Sequence, residues 1–180
     1  VFGIKPNKAE TGYGYLELCN TSLTSTFDVF KLKKFTEKPN IENAKKMYKS
    51  KNFLWNSGFF LFSADRIIQT YSKYAPELLD LVSLSMSNAK NKLSYTYISE
   101  KYWNDLENIS IDYAIMEKAK NIVVKPFNYN WSDLGSWESV WENSEKNSFG
   151  NALNKNSIAI DCKDSFLHSE SDNIKLAGVG

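Results

Sequence analysis

Hydrophobic and polar positions change their rhythm three times along this chain. The first third alternates. In GYGYLEL (12–18), Tyr13, Tyr15 and Glu17 fall on one strand face and Leu16 and Leu18 on the other. FDVFKLKKF (27–35) is a second strand, rich in aromatic and β-branched residues, and Pro39 in TEKPN stops its pairing. Asn40 then caps a helix over 41–51 whose Ile41, Ala44, Met47 and Tyr48 recur at helical spacing. FLWNSGFFLFS (53–63) is an apolar aromatic run broken by Asn56, Ser57 and Gly58. Ser63 caps a helix carrying Ile67, Ile68 and Tyr71, and Pro76 opens another with Leu78, Leu79 and Val82. SIDYAIMEKA (110–119) reads as a helix capped by Ser110, NIVVKPF (121–127) as a strand, and Trp137, Val140 and Trp141 as one face of a last helix. After FGN (149–151) only short strands and small polar turns remain. The pattern predicts an α/β domain of mixed sheet and covering helices, followed by a β-rich tail.

Composition narrows the partners. A length of 180 residues fits one domain with a core well stocked by 11 Phe, 10 Tyr and 5 Trp. A net charge of +1 speaks against nucleic acid or a membrane surface held by bulk electrostatics. Arg66 is the lone arginine, so any phosphate would be met by lysine, a helix N-terminus or backbone N–H groups. Cys19 and Cys162 stand far apart in no redox or metal spacing, and low thiol density suggests a reducing, cytoplasmic setting. His168 has no nucleophile motif beside it and no second histidine to share a zinc ion.

Four constellations carry chemistry. Glu37 and Lys38 in EKP sit where Pro39 breaks a strand, so both side chains can reach one rim, though a solvated strand end has the same pattern. Asn56 in WNSGFF offers a donor and an acceptor suited to a vicinal diol, and Gly58 marks a bulge or a close backbone approach. Gly12 and Tyr13 lie in ETGYGY, whose GxG is a turn or a place for a ligand against the backbone. Asp133 in NWSDLGSW is a cap before Ser136 or a single carboxylate placed for Mg²⁺. Asp112 reads as a first-turn acid complementing a helix dipole.

Taken in order, ETGYGYLE, VFKLKKFTEKP, AKKMYKSKNFLWNSGFFLF, SIDYAIMEK, WSDLGSWESVWE and GN resemble the mannose-1-phosphate guanylyltransferases (GDP-mannose pyrophosphorylases) of the sugar nucleotidyltransferase family, over nearly the whole chain. The resemblance implies a GT-A-like α/β fold and the conversion of GTP and mannose 1-phosphate into GDP-mannose and pyrophosphate. It implies Asp133 as a Mg²⁺ ligand, Lys38 on the sugar phosphate, Glu37 and Asn56 on mannose hydroxyls, and Gly12, Tyr13 and Gly58 along the sugar site. Residues 1–148 would be the sugar-phosphate-binding part of the transferase domain, and 149–180 a linker opening a left-handed β-helix.

The family's Gly-rich nucleotide loop and second metal-binding aspartate have no counterpart in this sequence, which also opens without a methionine. The chain therefore reads as the sugar-binding half of such an enzyme, inactive alone, with an apolar cut face that favours a homodimer. A non-catalytic sugar-phosphate-binding module, or a transferase for another hexose 1-phosphate, are the competing expectations.

Overall fold

The structure, a computed structural model, describes residues 1–23 and 28–180. It divides into two compact units, Val1–Tyr129 and Asn130–Gly180.

The first unit contains β1 (Phe2–Ile4), β2 (Tyr15–Ser22), β3 (Phe30–Thr36), α1 (Ile41–Lys49), β4 (Phe53–Asn56), α2 (Ala64–Tyr74) and α3 (Pro76–Ser87). A small hairpin of β5 (Lys90–Lys92) and β6 (Tyr95–Tyr97), then α4 (Glu100–Trp103), a π-helical turn (Asp112–Met116) and β7 (Val123–Phe127) complete it. The sheet is mixed, as expected, but it closes into a barrel in the order β1-β4-β2-β3-β7. Closure comes from β1, which pairs antiparallel with β4 and parallel with β7. Leu16, Leu18, Leu32, Phe35, Leu54 and Val124 fill the core with Ala114, Ile115 and Met116 of the π turn, and Tyr71 and Tyr74 of α2 pack against it.

Closure alters the predicted faces. Tyr15 and Leu16, expected on opposite faces of β2, are both fully buried, so both faces of the strand are covered there. The tyrosine hydroxyl is satisfied locally, donating to Glu10 O at 2.9 Å and accepting from Glu10 N at 3.0 Å. The strand predicted over 27–35 begins at Phe30; Phe27 lies outside the described residues. The run over 53–63 is a strand only to Asn56, after which Phe59, Leu61 and Phe62 stand exposed.

The capping signals of Asn40 and Ser63 hold, whereas Ile111 rather than Ser110 stands at the N-cap of the π turn. Asn43 N donates to Asn40 Oδ1 at 2.9 Å and Arg66 N to Ser63 Oγ at 3.4 Å. The first helix ends at Lys49 rather than 51, and of its predicted stripe only Ala44 is buried. The helix predicted over 110–119 is instead a single π turn, fixed by Glu117 N donating to Asp112 O at 3.0 Å.

The second unit begins with the Asn130–Ser136 loop and α5 (Trp137–Asn143). β8 (Ala152–Leu153), β9 (Ser157–Ile160), β10 (Phe166–Leu167) and β11 (Leu176–Val179) follow, in parallel pairs β8–β10 and β9–β11. Asparagine side chains tie successive turns together: Asn151, Asn154 and Asn156 donate to Cys162 O, Ser169 O and Ser171 O at 2.8, 2.8 and 3.1 Å. Buried amides with such partners recover the cost of leaving water. Cys19 and Cys162 are free thiols. No helix among the described residues is long and apolar enough to cross a membrane.

Candidate active site

The end of β3, the end of β4 and the π turn bring four polar side chains together in the first unit. Glu37 follows β3 directly, and its carboxylate is 9% exposed while the Lys38 ammonium beside it is 61% exposed, at 3.4 Å. Lys38 adopts a left-handed φ of 42°, a conformation that is sterically costly for a residue with a Cβ and more so before proline. That twist ends the strand's alternation, so the two adjacent charges share one rim.

Asn56, the last residue of β4, has both ends of its amide engaged. Its Nδ2 donates to Asp112 Oδ1 at 3.1 Å, and its Oδ1 accepts from Gly58 N at 3.2 Å. These partners fix which end of the amide is which, and leave one N–H and one lone pair for a ligand. Gly58 has φ 74°, which glycine takes without strain, and the space a Cβ would fill is open. Glu117, at the C-cap of the π turn, accepts the Glu37 backbone N–H at 3.3 Å.

Three carboxylates therefore surround one exposed ammonium. Burial, reinforced by the charge of Asp112, pushes the Glu37 carboxyl above the usual range, and Lys38 only partly offsets this. Burial also pushes Asp112 up, against its hydrogen bonds and the pull of Lys38. Glu37 Oε2 is buried with no hydrogen-bond partner, and so is the indole nitrogen of Trp55 one residue before Asn56. A buried acceptor left bare costs free energy unless something arrives to fill it.

Of the other expected site residues, Tyr13 stacks edge-on against Trp55 at 5.1 Å. Gly12 donates its N–H to Glu10 Oε1 at 3.0 Å in a local turn. The glycine that meets Glu37 is Gly14: a Cβ there would come within 2.6 Å of Glu37 Oε2 and 3.2 Å of Asn56 Cβ. Gly14 is the second glycine of the GxG in ETGYGY, and its packing against Glu37 is not visible in that motif. Asp112 reads in the sequence as a helix-dipole acid alone, because nothing in SID reveals a partner 56 residues away.

Asp133 lies in the second unit and is exposed. It is not the cap of α5: Ser136 and Ser139 form a reciprocal capping box, with Ser139 N donating to Ser136 Oγ at 3.2 Å and Ser136 N to Ser139 Oγ at 3.1 Å. The carboxylate instead lies against Gly135, where a Cβ would overlap Oδ2, and Leu134 between them has φ 48°. Trp137, expected on one face of the last helix with Val140 and Trp141, is 75% exposed and meets the ring of Phe166 at 5.7 Å. No cluster of three or more His, Cys, Asp or Glu with metal-binding geometry occurs among the described residues. Asp133 is a single hard oxygen donor, which fits Mg²⁺ as one ligand among substrate phosphates and water.

Comparison with known proteins gives this geometry a family. The nucleotidyl transferase model matches residues 1–148. A mannose-1-phosphate guanylyltransferase of Salmonella montevideo is 39% identical over 99% of this chain and 38% of its own length. One of Sinorhizobium fredii is 38% identical over 99% of this chain and 34% of its own. The chain thus spans well under half the length of these relatives. The crystal structure of mannose-1-phosphate geranyltransferase from Thermus thermophilus matches with a TM-score of 0.76 at 24% identity, covering 99% of this chain and 48% of that one, which shows the mixed α/β fold. That of mannose-6-phosphate isomerase from Helicobacter pylori matches with a TM-score of 0.64 at 33% identity, over 73% of this chain and 50% of that one. With 148 of its 180 residues matched, the chain belongs to the nucleotidyl transferase family.

Proposed function

We propose that this chain is the sugar-phosphate-binding part of an enzyme that makes GDP-mannose and pyrophosphate from GTP and mannose 1-phosphate. The observation that carries the reading is Glu37 Oε2, a buried carboxylate oxygen without a partner, beside the exposed ammonium of Lys38. A sugar hydroxyl donating to Oε2 fills the empty acceptor, and the sugar's phosphate meets Lys38. Asn56 contributes its remaining N–H, held in register by Asp112 and Gly58. Gly12, Tyr13 and Gly58 line the same site in this reading.

In the reaction, an oxygen of the sugar phosphate attacks the α-phosphorus of the nucleotide in line. The bond from that phosphorus to the pyrophosphate leaving group breaks, and no enzyme-bound covalent intermediate forms. The chain's own part is positioning and charge neutralisation. Mg²⁺, when bound, supplies further neutralisation of the phosphates, with Asp133 as one of its ligands. Residues 1–148 form the transferase part and 149–180 the opening of a left-handed β-helix, supported by the parallel stacking of β8–β10 and β9–β11. The exposed Phe59, Leu61 and Phe62 support self-association as a homodimer, and two free thiols among 180 residues support a reducing, cytoplasmic setting.

Calorimetry with mannose 1-phosphate tests the site. The chain binds it, Lys38→Ala weakens binding about tenfold, and glucose 1-phosphate binds less well. Equal binding by wild type and Lys38→Ala would remove the phosphate role. An exchange assay with radiolabelled pyrophosphate and GTP tests the division of labour: turnover by this chain alone would overturn the reading that it is inactive by itself.

A further inference from the structure

A second groove, of about 670 Å³, opens between β3 and the segment that follows the π turn. It exists because β3 keeps β2 beside it along its length, while β7 accompanies only Phe30 and Lys31 on the other side. Leu32 N still donates to Ile122 O at 3.0 Å, and the next tie is Glu37 N to Glu117. Between these two pins the elements part.

Lys31, Lys33, Lys34, Lys118 and Lys120 line the gap, and all five are exposed. Lys33 pairs with Glu17 at 2.6 Å. The other four make no ion pair among the described residues. Glu117 is the one carboxylate among the described residues of the lining, and it already holds the Glu37 amide. In a chain whose basic and acidic residues number 22 and 21, four ammoniums without an ion pair among the described residues, against one engaged carboxylate in the lining, are a local concentration of charge.

The groove's apolar floor is largely used up, since Leu32, Phe35 and Met116 are buried in the core. An extended acidic peptide would need open pockets for alternate side chains, and this floor offers few. A compact multivalent anion needs only several cations within reach, and lysines on flexible stems adapt to phosphate as point charges. We propose that this groove binds an oligophosphate, an anion with at least two phosphate groups, either free or as the tail of a nucleotide. The proposal does not rest on the function assigned to the Glu37 site.

Cys19 supplies a local reporter. It lines the groove and is partly exposed, whereas Cys162 belongs to the other unit. Inorganic pyrophosphate and tripolyphosphate, without added metal, should slow iodoacetamide alkylation of Cys19 and leave Cys162 unchanged, read by mass spectrometry. The double variants Lys34→Gln with Lys118→Gln, and Lys34→Glu with Lys118→Glu, should lose that protection and bind tripolyphosphate by calorimetry roughly tenfold or more weakly, since two charge-assisted contacts go. Lys38→Ala should retain both. GTP protecting as well as tripolyphosphate, with guanosine inert, identifies a nucleotide tail as an occupant; protection by the inorganic ions alone identifies the free anion. No protection in wild type, unchanged protection in both double variants, or loss in Lys38→Ala with retention in the double variants each overturns the proposal. The last result would place the anion at the Glu37 site, and failure of mannose 1-phosphate to bind leaves this test untouched.

Discussion

The Asn56 side chain donates to the Asp112 carboxylate at 3.1 Å, joining the end of β4 to the first residue of the π turn. This bond, with the Gly58 amide on the other side, decides which face of the Asn56 amide is presented to a ligand. Asp112→Ala should therefore weaken mannose 1-phosphate about tenfold, the size of one hydrogen bond to a charged group. Asp112→Asn should recover part of that loss. Calorimetry on the two variants checks it, and a purely structural Asp112 would change the unfolding midpoint while leaving affinity alone.

Glu37 should couple both binding and stability to pH. Its folded carboxyl titrates above the ordinary range because of burial and Asp112. The folded state thus holds a proton that the unfolded chain releases earlier, so this group's stabilising contribution is complete at low pH. That contribution is lost as pH rises from near the ordinary glutamate value of ~4.3 through the raised one. Sugar binding runs the other way, because the ionised form accepts hydroxyl donors most strongly. Glu37→Gln should lessen the pH dependence of the urea midpoint and of sugar affinity, leaving the part that Asp112 contributes. A wild-type affinity independent of pH would sever Glu37 from the sugar.

Two glycines separated by one residue should respond differently to the same added methyl group. Gly14→Ala drives a Cβ against Glu37 Oε2 and Asn56, whereas the nearest atom to a Cβ at Gly12 is Glu10 Oε1 at 3.4 Å. Overpacking of this kind costs about 1–3 kcal/mol, and it should also displace the buried carboxylate. Gly12→Ala should stay near wild type in urea unfolding.

The loop before α5 separates its structural from its chemical residue. Ser136→Ala removes one arm of the capping box and should cost about 1 kcal/mol, seen as a lowered midpoint. Asp133→Asn should leave the cap intact and weaken Mn²⁺ binding, followed by electron paramagnetic resonance in the presence of GTP. Unchanged Mn²⁺ binding would remove Asp133 from the metal.

Local signals in the sequence were accurate where local physics decides the outcome. Asn40 and Ser63 cap helices as read, and EKP and WNSG converge on one rim, because a broken strand and a glycine turn leave few other arrangements. What stayed hidden depends on distant pairing. β1 joins β7 with its register set by residues more than 120 positions away, and no alternation along β2 foretells that Tyr15 and Leu16 are both buried. Asp112 and Gly14 belong to the site through contacts that periodicity cannot express. The exposed Trp137 shows the opposite error, in which residue type suggested burial and the first turn of α5 denied it.

The π turn has one further consequence. It spends one residue more than an α-helical turn on the same closure, and it holds Asp112 on Asn56 while Ala114, Ile115 and Met116 stay in the core. That spare residue lets the core and the carboxylate be satisfied at once. Deleting Tyr113, the exposed residue of the turn, lets it relax to α geometry, where each position is worth about 100° of rotation. The packing could then survive while the acid swings off Asn56, leaving a chain that folds soundly and aims its site at nothing.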